Sequence, residues 1–435
     1  MPKSRRVELD SQASAYSSQL ADEAKFAYQL SEFNSIWRAA LGTPFYAMWA
    51  DRFSLPSQIV SLDELQDFPA LRKSDLVEHF RLLDFTRGSG PYVSTGGSTG
   101  APVKLPRSPL EAEDSFARAF LGKVAAGALP GDSYVHLWGH SFLFGTGRSR
   151  HLKLAKRRAK DWLAGGVRLS AYDYTDAAVQ QQVSALVRKN PVYVIGYTSA
   201  LVRLARVALE TGDFTREALT NLKFVVVTAE TATESDRQII EEGLGAPCLV
   251  EYGCAEAGVL AHSEVGGGGL RTYWRSVILS ADRLGHARVT TIAPRGFPLV
   301  NYDLNDRLGG AERSASLLKF DSVEGRAQDI FDISLSSGDV IAVGGRFLVH
   351  SAKTVPGVLT VQYSQRTDGI DVYVTLSGGA RPEMVRAQIG SDLRSEFGQV
   401  EEGSVRVFQV SRPVPSKSGK LTLSVPPDVA QPLVV

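Results

Sequence analysis

Between Tyr92 and Ser108 the chain reads YVSTGGSTGAPVKLPRS, with three glycines and four hydroxyl residues in the seven positions 94–100, and a lysine soon after. Glycines let successive backbone amides turn into one concavity, and hydroxyls add further donors, which is what an anion cradle requires. A flexible surface loop has a similar composition. No Lys-Ser or Lys-Thr pair follows the glycines at Walker spacing. Taken alone, the stretch is open to both readings.

Four further stretches carry groups of the right chemistry: TAET at 228–231, VEYGCAEAG at 250–258, PLVNYDLNDRL at 298–308 and EGRAQD at 324–329. A fifth, SKSGKL at 416–421, places a lysine near the C-terminus. Glu256 and Asp306 are carboxylates, able to bind a cation or to accept charge-assisted hydrogen bonds. Each residue also has a plain structural reading: Glu256 as a solvated loop residue, Asp306 as a turn-former, and Lys420 in a hairpin turn.

The elements that must position these groups follow from periodicity. Residues 1 to about 85 read mainly as helices, including LADEAKFAYQLSEFNSIWRAALG, which has helical apolar spacing. LEAEDSFARAFLGKVAAGAL reads as a long helix. Strand and helix then alternate. SYVHLWG, PVYVIGY, NLKFVVVTAE and PCLVEYG read as strands; DAAVQQQVSALVRKN, SALVRLARVALETG and TESDRQIIEEGLG read as helices. This alternation predicts a largely parallel sheet covered by helices, with ligands at the carboxyl ends of the strands. Strands with short turns follow from Arg271 to Leu299. A small α+β unit closes the chain, built from GVLTVQYSQRTDGIDVYVTL, a helix PEMVRAQIGSDLRSEFG and SVRVFQVS.

Composition narrows the class. The 435 residues are 43% hydrophobic and 22% charged, and 48 basic residues against 47 acidic ones leave a net charge of +1. Nothing in that balance favours nucleic acid or a membrane surface as a partner. Two cysteines, Cys248 and Cys254, are too few for a disulfide framework and fit a reducing compartment. The basic N-terminus has no apolar run behind it, so it does not read as a signal peptide. The cytoplasm is the expected location.

In their order and separation these six stretches resemble the adenylate-forming superfamily, from about residue 85 to the C-terminus, and five of them match its motifs. The glycine stretch is similar to its SSGTTGxPK phosphate loop, EYGCAE to YGxTE, NYDLND to RYRTGD, EGRAQD to GRxDD, and SGK to the terminal lysine motif. The middle segment YVIGYTSALVRLA resembles the phenylacetate–CoA ligase and CapK-like branch. The resemblance implies an α/β fold in two domains. Residues 1–325 would form a large adenylating domain of mainly parallel sheets flanked by helices, with a β-rich subdomain. Residues 326–435 would form a small mobile α+β lid.

The resemblance also implies roles. Ser94, Thr95, Gly96, Gly97, Ser98, Thr99, Gly100 and Lys104 would line the phosphate loop. Ala229 and Glu230 would lie against the adenine, and Tyr252, followed by Gly253, would stack on it. Glu256 would hold Mg²⁺. Asp306 would take the ribose hydroxyls with help from Arg326, and Lys420 would reach the α-phosphate and the substrate carboxylate. His140, Phe142, Tyr197, Cys254 and Ala255 would border the acyl pocket, Cys254 as a small packing residue rather than a nucleophile. Gly344 and Gly345 would let a narrow acceptor pass. The basic run 147–160 could meet CoA phosphates or an acidic carrier, although it reads first as a solvated helix face.

The implied reaction takes ATP and Mg²⁺ and activates a carboxylic acid as acyl-AMP, releasing pyrophosphate. A thiol acceptor, CoA or a carrier protein, leads. An amine is the alternative acceptor, and a non-catalytic nucleotide-binding homologue is the rival from another class. Ala255, Asp303, Asn305 and Gln328 depart from the family pattern. The first removes a hydroxyl near the phosphates and the last replaces the usual hinge acid.

Overall fold

The computed structural model describes residues 16, 20–83, 92–94, 104–138, 159–171, 176–210, 214–311, 313–326, 330–414 and 421–435. Thr95 to Gly100, His140, Phe142, Gln328, Lys420 and nearly all of the basic run therefore lie outside the described residues.

The largest sheet has eight strands. Its parallel half is built from β3 (Tyr134–Trp138), β4 (Gly166–Ser170), β5 (Tyr193–Tyr197), β6 (Phe224–Thr228) and β7 (Cys248–Cys254), in the order β4-β3-β5-β6-β7. β8 (Gly258–Glu264), β9 (Gly267–Thr272) and β13 (Lys319–Phe320) extend it with antiparallel pairings. A hairpin of β1 (Tyr92–Ser94) and β2 (Lys104–Pro106) stands apart. A four-stranded antiparallel sheet is formed by β10 (Val277–Ala281), β11 (His286–Thr291), β12 (Tyr302–Gly309) and β14 (Ser322–Arg326).

β6 shows why the alternating segment folds as read. All five residues of FVVVT are buried. Val225 and Val227 join one core with α5 (Thr198–Glu210) and α6 (Glu234–Leu244), while Phe224 and Val226 join a second core on the opposite face. A strand covered on both faces needs a continuous apolar run rather than an alternating one. The expected helices appear as α3 (Pro109–Ala125) and α4 (Asp176–Lys189), besides α5 and α6. β4 was not anticipated, because GVRLS is short and only its valine and leucine carry an apolar signal.

The N-terminal helices α1 (Asp22–Leu41) and α2 (Pro44–Phe53) close the antiparallel sheet with an aromatic cluster. Trp37 and Phe45 are fully buried, and the Tyr46 ring stacks on Phe297 at 5.4 Å. The Tyr46 hydroxyl donates to the Pro298 carbonyl at 2.6 Å and accepts from Val300 N at 3.2 Å. Asn301, at φ +50°, donates its side-chain amide to the Phe68 carbonyl at 2.6 Å. These contacts fix the backbone that leads into β12, the strand of Asp306.

β14 ends at Arg326 and β15 (Ile330–Ser334) begins a separate core with β16 (Val340–Gly344), α7 (Gly345–Lys353), β17 (Val358–Arg366), β18 (Gly369–Leu376), α8 (Pro382–Phe397) and β19 (Val405–Gln409). Among the described residues no helix is long and apolar enough to cross a membrane.

α5 and α6 approach so closely that a Cβ on Gly243 would collide with the Ala205 carbonyl. Gly243→Ala should therefore lower stability by about 1–3 kcal/mol through overpacking, despite the roughly 1 kcal/mol that alanine gains in helix propensity. A urea unfolding midpoint at or above that of the natural protein would contradict the close contact.

Candidate functional site

Thr228 ends β6, and Ala229 turns the chain with φ +66°, a backbone conformation that alanine rarely adopts. Glu230 follows. Its Oε2 accepts Ser199 N at 2.8 Å, near the start of α5, and its Oε1 accepts Leu421 N at 3.1 Å. The carboxylate expected against adenine thus holds two main-chain amides, one of them from the residue after Lys420.

β7 carries the next group. Gly253 lies so near β8 that a Cβ there would strike the Gly258 carbonyl. Tyr252 is 7% exposed, and its hydroxyl donates to Asp306 Oδ2 at 2.9 Å. Burial and the Asp306 charge hold the Tyr252 phenol well above its usual range, so it remains a donor. Its ring meets Phe320 edge-on at 5.9 Å. Sequence reading cast Tyr252 as a stacking platform; here its hydroxyl orients the carboxylate expected to take the ribose. Asp306 pairs in register with Arg326 between β12 and β14. On the same strand as Arg326, Gly325 (φ +101°) faces Thr231, where an added Cβ would lie 3.6 Å from Oγ1. Residues from TAET, EYGCAE, NYDLND and EGRAQD are therefore neighbours in space.

Glu256 sits in the turn between β7 and β8, where burial and then the Glu256 charge hold the Tyr302 phenol above its usual range. Its main chain is clamped as well. Arg295 Nη2 donates to the Glu256 carbonyl at 2.5 Å and to Glu111 Oε1 at 2.8 Å, and Gly296 N donates to Glu111 Oε2 at 3.2 Å. Arg295 and Glu111 are 5% and 4% exposed in their side chains. Burial lowers the Arg295 pKa, with the Glu111 charge opposing it. The same segment touches the glycine hairpin, since a Cβ on Gly296 would collide with the Pro106 carbonyl. In that hairpin Ser94 pairs with Lys104, so the ladder closes the ends of the glycine stretch, with the Lys104 side chain exposed. Glu111 and Arg295 went unnoticed in the sequence. Their partnership spans 184 positions and leaves no local pattern.

The pocket residues are dispersed. Tyr197, at the end of β5, is 2% exposed with its ring 4.3 Å from that of Trp138. Ala255 is exposed in the β7–β8 turn. Cys254 Sγ accepts the Ala257 amide at 3.3 Å.

No family model matches the chain, and no curated protein matches it. Solved structures do share its fold. A 2-hydroxyisobutyryl-CoA ligase in the postadenylation state, in complex with 2-HIB-AMP, aligns with a TM-score of 0.69 at 17% identity, over 96% of this chain and 93% of that one. The same ligase with 2-HIB-AMP and CoA in the thioesterification state gives 0.55 at 18% identity, over 94% and 91%. The amide bond synthetase McbA from Marinactinospora thermotolerans gives 0.50 at 19% identity, over 76% and 67%. The chain therefore has the fold of the adenylate-forming ligases.

The thiols give a direct check on this geometry. Burial pushes Cys248 up to about 12. Burial, and then the Glu256 charge, raises Cys254 further. Since the thiolate is the reactive form, iodoacetamide at pH 8 should leave both cysteines of the native protein unmodified and alkylate both in guanidinium chloride. Rapid labelling of Cys248 in the native protein would contradict the buried setting of the start of β7.

Proposed function

We propose that the protein is an ATP-dependent carboxylate ligase that releases AMP. The observation that carries this reading is the convergence of the Tyr252, Glu256, Asp306 and Glu230 segments at the ends of β6, β7 and β12. In this reading a carboxylate oxygen of the acid attacks the α-phosphorus of ATP, forming a new P–O bond as the bond to pyrophosphate breaks. Asp306, oriented by Tyr252, accepts the ribose hydroxyls, assisted by Arg326. Residues 94–100 and Lys104 receive the phosphates. Lys420 neutralises charge in the transition state, where such a contact accelerates the step most. The acceptor then attacks the acyl carbon and expels AMP.

The residues suit Mg²⁺. Glu256 supplies one carboxylate from a turn whose main chain is held by Arg295, and Mg²⁺ is commonly bound by one or two carboxylates together with substrate phosphates and water. When bound, the ion would neutralise polyphosphate charge.

We assign a thiol, CoA or a carrier, as the first acceptor and an amine as the second. The fold is shared with a CoA ligase over nearly its whole length and with an amide bond synthetase over a smaller part. We divide the chain into an adenylating domain, 1–325, and a lid, 326–435. We assign it to the phenylacetate–CoA ligase and CapK-like branch on YVIGYTSALVRLA, the segment that forms β5 and the first half of α5.

Pyrophosphate release from ATP and Mg²⁺ across a panel of carboxylic acids, with and without CoA or amines, tests the reaction and the acceptor together. We expect release with at least one acid class and a thioester product when CoA is present. Tight ATP binding without release for any acid would instead support a non-catalytic homologue. Lys420→Ala should reduce adenylation by about 10²–10³-fold with ATP affinity nearly unchanged; equal loss of both would remove Lys420 from its role. Asp306→Ala should weaken ATP binding by about tenfold or more, as expected for a charge-assisted hydrogen bond. Unchanged affinity would remove it from the ribose.

A further inference from the structure

Elements before Arg326 meet those after it along the α5–α6 pair. Asp236, in the first turn of α6, is 2% exposed. Its Oδ2 accepts Thr233 N at 3.1 Å and Thr233 Oγ1 at 2.7 Å, which caps the helix. Its Oδ1 accepts Lys353 Nζ at 2.5 Å, from the last residue of α7. Arg206 of α5 lies near the same carboxylate. It donates Nη2 to the Val358 carbonyl at 3.3 Å, its pKa is lowered chiefly by burial, and the Asp236 charge opposes that shift. Arg206 Nε is buried with no hydrogen-bond partner among the described residues.

These contacts are unequal in what they leave behind when separated. Lys353 and Val358 belong to the C-terminal core, whereas Asp236 and Arg206 stay with the large sheet. Removing Lys353 would leave a buried carboxylate on α6, while Arg206 on the adjoining α5 carries a buried nitrogen with no partner among the described residues. A buried charge stripped of its partner is costly, and Arg206 is placed to replace it.

We propose that Lys353 is a positioning residue that holds the C-terminal unit docked, and that Arg206 takes over Asp236 when that unit leaves. The inference rests on the ligase reading for its consequence: the docked arrangement is the one in which Leu421, next to Lys420, is tied to Glu230. It concerns only this exchange of partners, and neither residue belongs to the proposed nucleotide site.

Spin labels at Glu242→Cys and Glu383→Cys, both exposed positions on the two sides, in a Cys248→Ala, Cys254→Ala background, report the separation by double electron–electron resonance without any acid or nucleotide. Lys353→Met should lower the ratio of docked to undocked molecules by about tenfold, and Lys353→Arg should restore most of it. An unchanged distance distribution in Lys353→Met, or no rescue by arginine, overturns the proposal. Thermal melts test the hand-over. Lys353→Met with Arg206→Met should lower the midpoint by more than the two single changes summed, because only the double variant leaves Asp236 without a cation. Additive losses overturn that part. A failed pyrophosphate assay alongside a shifted distance ratio would sink the ligase reading and leave the latch standing; the reverse pattern would do the opposite.

Discussion

The Arg295–Glu111 pair is the interaction on which the rest of the site depends. Both side chains are almost wholly out of water, which costs desolvation that only good geometry repays. Here the geometry is shared three ways. One arginine nitrogen serves the Glu111 carboxylate and the Glu256 carbonyl, and the second carboxylate oxygen takes the Gly296 amide. The start of α3, the β7–β8 turn and the stem of the glycine hairpin are thereby locked to one another. A hydrophobic pair could fill the same volume, but it could not specify which carbonyl faces which amide.

A second layer brings Asp306 to the same place from the opposite direction. The aromatic cluster of α1 and α2 clamps residues 298–301 through Tyr46, and Asn301 ties that backbone to Phe68. β12 therefore enters the four-stranded sheet in a fixed register, and the Tyr252 hydroxyl holds Asp306 further along the strand. The N-terminal helices thus shape the site without contributing a residue to it.

Order and residue type made much of this legible in the chain. FVVVT announced a doubly covered strand, and EYGCAE and NYDLND, singled out for their order along the chain, meet through Tyr252 and Asp306. What escaped notice has a common cause. Glu111 with Arg295, Lys353 with Asp236 and Tyr46 with Val300 are partnerships between positions more than 100 apart, and each residue taken singly resembles an ordinary surface or core residue. Tyr252 is instructive in another way. Its ring and its hydroxyl can serve different partners at once, and the use of the hydroxyl follows only from the position of Asp306. Glu230 was likewise assigned to a ligand when its oxygens also serve two backbone amides.

The contact between Gly243 and Ala205 joins two features that are far apart along the sequence. With no side chain at Gly243, the α6 backbone meets the Ala205 carbonyl directly, and the two helices pack as one plate. That plate carries the Ser199 amide that steadies Glu230 at one place and Asp236 at another. A plate that does not flex presents both receptors together, so an incoming unit meets either both or neither. Engagement would then be all-or-none rather than graded.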